Sequence, residues 1–83
     1  MSSTTADIIG LIGSAMFIAA FIHANRAETL NKVMFNGLNL VGAVLLLVSL
    51  SVNFNLPAVV LEIVWGSIAL VGLIGALRAR GST

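Results

Sequence analysis

The sequence predicts an all-α membrane protein made of three transmembrane helices in an up-down-up bundle. Hydrophobic residues make up 59% of the 83 residues and charged residues only 8%, and the mean hydropathy is +1.13. A soluble domain carries about 25% charged residues, so this chain cannot build a water-facing surface. Its polar residues separate three long apolar runs. We therefore predict a single transmembrane domain over residues 1–83, with helices at about 7–23, 32–52 and 56–78.

The first helix is predicted from the run IIGLIGSAMFIAAFI, which extends from Ile8 to Ile22. A spanning helix needs roughly 17–25 mostly apolar residues, so this run is short for a span. Its length also suits a secretory signal, but the preceding segment MSSTTAD has no Lys or Arg and carries an acid. A signal peptide requires a positive segment there, so we expect a retained helix.

The second and third helices follow from longer runs, Val33 to about Val52 and Leu56 to Leu77. The linker between them, SVNFN, is uncharged, and its two asparagines suit a tight turn. Pro57 falls in the first turn of the third helix, where its missing N–H would be unpaired in any case.

The basic residues predict the orientation. All four lie on one side of a three-span arrangement, with Arg26 and Lys32 in the first linker and Arg78 and Arg80 in the tail. Positive residues of short loops stay in the cytoplasm. We expect the N-terminus outside and the C-terminus in the cytoplasm.

Glu62 is the most informative residue, because it lies inside the third predicted helix. An acid at a helix centre costs about 2.5–3.5 kcal/mol on insertion scales, so exposure to lipid is unfavourable. We favour a protonated acid that bonds to a neighbouring helix, with Ser14 and Ser49 as partners at comparable depth. The alternative is a proton-coupling or cation-binding site, although no second acid lies at that depth.

Three more polar or aromatic residues fall within the predicted spans. Asn36 and Asn39 lie one turn apart on the second helix, and Asn39 is too deep to reach water, so it needs a partner. Trp65 lies away from the interface where tryptophan is enriched, and its indole N–H needs an acceptor. We interpret all three as packing residues; a substrate pocket is the alternative.

Small residues predict where the helices approach closely, because they let transmembrane backbones come together. The predicted packing residues are Gly10, Gly13, Gly42, Gly66, Ala69 and Gly72. They predict contact and nothing more specific.

His23, the only histidine, follows Ala19 by four residues, a spacing that also occurs where antenna helices ligate chlorophyll. We interpret it as an interfacial residue, with pigment ligation as the alternative. The chain has no cysteine, nucleophile–base pair, glycine-rich phosphate loop or clustered basic patch. We therefore expect no metal, cofactor, nucleic-acid partner or enzymatic activity.

The motif LNLVGA at Leu38–Ala43, followed by Ser49-Leu50 and by LEIVW at Leu61–Trp65, resembles a family of small bacterial inner-membrane proteins with no assigned function. The resemblance extends from about Asp7 to Leu77. It implies three helices and a bacterial inner-membrane location, and it implies no activity.

A fainter similarity is to the SemiSWEET half-transporters, which also have three helices and an external N-terminus. A proline begins their third helix, as Pro57 does here. Their proline–glutamine signature at the end of the first helix is replaced by IHAN at residues 22–25.

The favoured function is a non-enzymatic helix-packing subunit of a homo-oligomer or of a larger membrane complex, because the linkers are too short for an extramembrane domain. The main alternative is a SemiSWEET-like half-transporter that works as a dimer, with proton coupling through Glu62 and a small-molecule substrate. A proton-translocating ring subunit also uses a single acid, but it has two helices and a glycine ladder. A three-span holin would be lytic on expression.

Overall fold

A computed structural model describes residues 1–81 and contains three helices: α1 (Ser3–Arg26), α2 (Lys32–Leu50) and α3 (Leu56–Gly81). All three are long and apolar enough to cross a membrane, which confirms the predicted fold class. At 1.5 Å per residue they measure about 36, 28 and 39 Å, close to or above the thickness of about 30 Å of a hydrocarbon core.

The helix ends differ from the predicted ones where polar residues cap or extend a helix. α1 begins at Ser3, before the predicted residue 7, because the Ser2 hydroxyl accepts a hydrogen bond from the Thr5 N–H and caps the helix. α2 ends at Leu50, two residues early, and α3 continues three residues beyond 78. The apolar run thus marks the part of a helix suited to lipid, and the caps set its ends.

Neighbouring helices are antiparallel, as the short linkers predict. Along α1 and α2, Gly10 lies against Ser49 and Gly13 against Gly42, so one helix ascends while the other descends. The last turn of α1, the first of α2 and the last of α3 therefore share one end of the molecule. We call this the basic end, because the four Lys and Arg residues lie there: Arg26, Lys32, Arg78 and Arg80.

α2 is the central helix, and α1 and α3 pack on two different faces of it. In the described chain, no Cα atom of α1 comes within 8 Å of a Cα atom of α3. The helices therefore form an up-down-up arrangement that is open between α1 and α3. At 100° per residue, Gly42 in the α1 interface and Asn36 in the α3 interface lie about 120° apart around α2. That angle leaves a wedge between α1 and α3.

The buried positions of this arrangement are occupied by small residues. The buried apolar residues are Ala6, Ala20, Ala43 and Ala69, and no large side chain of the described chain is fully buried. Leu11, Phe21 and Val71 are each at least 70% exposed. Such an exposed apolar surface suits lipid tails, and small residues are what transmembrane helices use to pack.

At the end opposite the basic end, side chains of the second linker hydrogen-bond to α1 and cap α3. Asn53 donates a hydrogen bond of 2.8 Å from Nδ2 to Oδ1 of Asp7, and its Oδ1 accepts one of 3.2 Å from the Ser3 hydroxyl. Asn55 caps α3 by accepting a bond of 3.1 Å from the Ala58 N–H. Both asparagines of the predicted turn thus join or cap helices.

Candidate functional site

Asn39 and Trp65 form a polar contact between α2 and α3. Asn39 is 6% exposed, and its Oδ1 accepts a hydrogen bond of 3.0 Å from the indole Nε1 of Trp65. Its Nδ2 donates one of 2.9 Å to the Phe35 carbonyl on its own helix. The two groups for which the sequence required a partner therefore satisfy each other.

The Asn39–Trp65 pair borders a cavity of about 560 Å³, which we call the wedge cavity. Its lining residues are Phe17, Ile18, Phe21, Ala24, Asn25, Phe35, Asn39 and Trp65. Four of the chain's five aromatic residues are among them, and no charged residue is. The rings of Phe17 and Trp65 approach across the wedge, with their centroids 6.3 Å apart. Small-molecule sites commonly enclose about 300–1,000 Å³, so the wedge cavity is of ligand size.

Glu62 lies between α2 and α3 but does not line the wedge cavity. It is 8% exposed, and its Oε2 is buried without a hydrogen-bond partner among the described residues. It borders a separate groove of about 230 Å³, the Glu62 groove, which has no lining residue in common with the wedge cavity. The other residues of the groove are Leu40, Ala43, Val44, Leu47, Ile63, Gly66, Ser67 and Leu70. The structure therefore does not bring Glu62, Trp65 and Asn39 together on one pathway.

Ser14 and Ser49, the predicted partners of Glu62, are not bonded to it. The Ser14 hydroxyl donates a hydrogen bond of 2.9 Å to the Gly10 carbonyl within α1. Ser49 is buried against α1, where a Cβ added to Gly10 would lie 2.8 Å from the Ser49 hydroxyl oxygen. The prediction was wrong because equal depth in the membrane does not make two residues face each other.

Gly13 of α1 and Gly42 of α2 lie where those two backbones meet. A Cβ added to Gly13 would lie 2.8 Å from the carbonyl oxygen of Gly42, and one added to Gly42 would lie 2.9 Å from that of Gly13. Real Cβ atoms essentially never come that close to another atom, so each position requires glycine at this separation.

Two glycines of α3, Gly66 and Gly72, lie against α2. A Cβ added to Gly66 would lie 3.2 Å from the Ala43 Cβ, and one added to Gly72 would lie 2.5 Å from the Asn36 side-chain oxygen. Ala69, on the same face, is 3% exposed. The Asn36 amide also donates a hydrogen bond of 2.9 Å to the Lys32 carbonyl. Asn36 is thus a packing neighbour of Gly72, outside the wedge cavity.

The His23 side chain, at the end of α1, makes a hydrogen bond to the first linker. Its Nε2 accepts a hydrogen bond of 3.1 Å from the Asn31 backbone N–H, and the Asn31 side chain caps α2 by accepting one of 3.1 Å from the Met34 N–H. The Nε2 atom of His23 is therefore occupied by this hydrogen bond. Within residues 1–81, no group of three or more His, Cys, Asp or Glu side chains is placed to hold a metal ion.

The profile of an uncharacterised protein family matches residues 6–80. The chain belongs to this family. The match agrees with the resemblance to a small family of unassigned function, and it covers nearly all of α1, α2 and α3. No curated protein and no solved structure matches the chain, and the similarity to SemiSWEETs has no support from these comparisons.

Sequence reasoning did not single out the phenylalanines of the wedge cavity. Phe17 and Phe21 lie one and two turns after Gly13, and this spacing of four predicts that they share a helix face with the α1 packing surface. The opposing positions of Phe35 and Trp65 depend on the angle between α1 and α3 around α2. That angle is set by how the three helices pack, so the sequence pattern of a single helix does not predict it.

Proposed function

We propose that the chain is a non-enzymatic subunit of a membrane-embedded homo-oligomer that assembles through the Glu62 groove. The observation that carries this proposal is the Glu62 Oε2 atom, which is buried without a hydrogen-bond partner among the described residues. An unsatisfied buried polar atom costs about 1–3 kcal/mol, and a hydrocarbon environment offers no water to replace the missing donor. A donor from another chain removes that cost once the Glu62 carboxyl turns toward the groove that it borders.

The residues of the Glu62 groove favour a second copy of the chain as the binding partner. Ser67 lines the same groove as Glu62, and its side chain is exposed. Its hydroxyl donates a hydrogen bond of 2.7 Å to the Ile63 carbonyl of the same helix, and rotation about the Cα–Cβ bond redirects it. An acceptor and a donor on one surface are self-complementary, as a twofold contact requires. In such a dimer, each Ser67 supplies the donor for Glu62 of the other copy.

The groove is also shaped for close approach. Ala43 and Gly66 form part of its floor, with the Cβ position of Gly66 only 3.2 Å from the Ala43 Cβ. Small residues on facing helices allow a further helix to approach, and dispersion and hydrogen bonds then hold it. Both linkers are short, residues 27–31 and 51–55. We therefore assign the proposed assembly contact to the helices.

We place the assembly in a bacterial inner membrane with the basic end in the cytoplasm. The support is the position of Arg26, Lys32, Arg78 and Arg80 at one end of antiparallel helices, because positive residues next to a span are retained on the cytoplasmic side. The N-terminus then lies outside.

Cysteine cross-linking tests the proposed contact, because the chain has no cysteine of its own. Ile63 lines the groove and is 53% exposed, whereas Leu11 on α1 is 70% exposed and lies outside the groove. In native membranes we expect the Ile63→Cys variant to form a disulfide-linked dimer and the matched Leu11→Cys variant to form little. Equal cross-linking of the two variants, together with a monomer in nanodiscs, would overturn the proposal.

A half-transporter that works as a dimer is the second candidate, and the wedge cavity favours it. Asn39 and Trp65 place polar atoms on the wall of a cavity of about 560 Å³. The acid proposed to couple protons, Glu62, borders a different groove, which weakens the proton-coupled form of this function. We therefore rank it behind the assembly subunit, and proton-driven flux in proteoliposomes separates the two.

A further inference from the structure

The wedge cavity has the chemistry of a site for a ring-bearing ligand. Phe17, Phe21, Phe35 and Trp65 present aromatic rings to it from all three helices. Aromatic rings bind other rings by offset stacking or edge-to-face contact, which contributes beyond the area that they bury. Trp65 is also held in place by its hydrogen bond to Asn39, so this part of the wall is preorganised.

Two amide groups on the wall have an unused donor. Asn25 donates a hydrogen bond of 2.8 Å from Nδ2 to the Phe21 carbonyl, and Asn39 donates one of 2.9 Å to the Phe35 carbonyl. An amide nitrogen carries two hydrogens, so each of these bonds leaves one hydrogen for a ligand acceptor. A carbonyl oxygen on the ligand matches such a donor.

Charge and access restrict the ligand further. No charged residue lines the wedge cavity, so nothing there compensates a buried ligand charge. Arg26 directly follows Asn25 in the chain, and its positive charge disfavours an organic cation on the aromatic faces. Because the backbones of α1 and α3 stay more than 8 Å apart, the cavity is reached sideways from the lipid. The ligand is therefore neutral and dissolves in the bilayer.

We propose that the wedge cavity binds a neutral, lipid-soluble ring compound bearing a carbonyl oxygen, such as a quinone. The ring lies among Phe17, Phe21, Phe35 and Trp65, and the carbonyl accepts a hydrogen bond from Asn25 or Asn39. This site is independent of the proposed assembly, because it shares no lining residue with the Glu62 groove.

Trp65 is the only tryptophan and lines the wedge cavity, so the tryptophan fluorescence of the chain responds to a ligand bound there. We would titrate the full chain in nanodiscs with 1,4-naphthoquinone and expect saturable quenching of the emission. The Phe21→Ala and Asn25→Ala variants should weaken the apparent affinity by about fivefold or more, equivalent to the loss of one ring contact or one hydrogen bond. Both residues are exposed, so these variants should fold.

Phe54→Ala is the matched control, since Phe54 is the one aromatic residue that does not line the cavity, and it is 69% exposed. Its titration should equal that of the wild type. Quenching that rises without saturation and equally in all variants would overturn the proposal, because it reports quinone dissolved in the lipid. Tighter binding of benzyltrimethylammonium than of naphthoquinone would overturn the assigned ligand class. The Ile63→Cys cross-link is measured separately, so failure of one proposal is distinguishable from failure of the other.

Discussion

The indole N–H of Trp65 donates a hydrogen bond of 3.0 Å to the side-chain oxygen of Asn39, and this bond joins α3 to the centre of α2. Inside the three helices, four side chains carry polar groups that need a hydrogen-bond partner: Asn36, Asn39, Glu62 and Trp65. The bond removes Asn39 and Trp65 from that set, and Asn36 donates to the Lys32 carbonyl. The unpartnered Oε2 of Glu62 is what remains to support a contact with another chain.

The first prediction concerns this bond. Trp65→Phe keeps a ring in the wedge but removes the donor, and Asn39→Ala removes the acceptor. We expect each change to destabilise the fold by about 1–2 kcal/mol. The double variant should cost less than the sum of the two, with a coupling energy of about 0.6–1.7 kcal/mol, the range measured for bonds between membrane helices. Steric-trap unfolding in bicelles measures all three. Strict additivity would mean that the bond contributes nothing.

The spans and caps were predictable because they depend on local chemistry. A long apolar run predicts a span, and the positions of Asn55 and Pro57 mark the start of α3. The partner of Glu62 was not predictable in the same way. Depth follows from counting residues at 1.5 Å each, which placed Ser14 and Ser49 level with Glu62. The direction in which each side chain points depends on how α1 and α3 are arranged around α2.

The second prediction compares two alanine substitutions of glycine. In Gly13→Ala the new Cβ lies 2.8 Å from the Gly42 carbonyl oxygen, so α1 and α2 must separate. We expect a loss of about 1–3 kcal/mol of stability, as for other overpacked positions. Gly37→Ala is the control, because a Cβ there meets nothing within 4 Å. Its stability should be unchanged or should rise by up to about 1 kcal/mol, since alanine is the better helix former. Thermal unfolding followed by circular dichroism ranks the two variants, and equal losses would refute the close crossing.

The third prediction is that the hydrogen bond from the Asn31 N–H to His23 stabilises the first linker. His23→Ala removes the acceptor of the Asn31 backbone N–H, whose hydrogen bond to Nε2 measures 3.1 Å. A bond of this kind contributes about 1 kcal/mol, so hydrogen exchange at the Asn31 amide should accelerate about fivefold. The Phe35 amide, bonded to the Asn31 carbonyl at 2.9 Å, is the internal reference and should change less. Unaltered exchange at Asn31 would show that His23 does not hold the linker.

The fourth prediction is the orientation. Leu30 and Val52 are both 38% exposed and lie in the two linkers, at opposite ends of the helices. In intact cells, an impermeant maleimide should label the Val52→Cys variant and should label Leu30→Cys only after the membrane is opened. The reverse pattern would place the basic end outside. Ser82 lies outside the described residues, so Leu30 is the reporter for the basic end.

The last prediction separates assembly from transport at Glu62. Glutamine has nearly the same shape and both donates and accepts hydrogen bonds, so Glu62→Gln should leave the Ile63→Cys cross-link intact. Glu62→Ala removes the bonding atoms and opens a gap beside Ala43 and Gly66. Loss of a membrane hydrogen bond costs about 1 kcal/mol and the gap adds a packing cost of similar size, so assembly should weaken by tenfold or more.

The assembly subunit and the half-transporter predict different effects of Glu62→Gln on proton-driven flux. An amide cannot titrate, so a transporter that couples protons through Glu62 would lose pH-driven uptake in proteoliposomes while its assembly persisted. An assembly subunit shows no such uptake in the wild type, and only Glu62→Ala changes its behaviour. Because Glu62 borders a groove separate from the wedge cavity, we expect the second outcome. Wild-type flux that vanishes in Glu62→Gln, with the cross-link unchanged, would make the half-transporter the correct function.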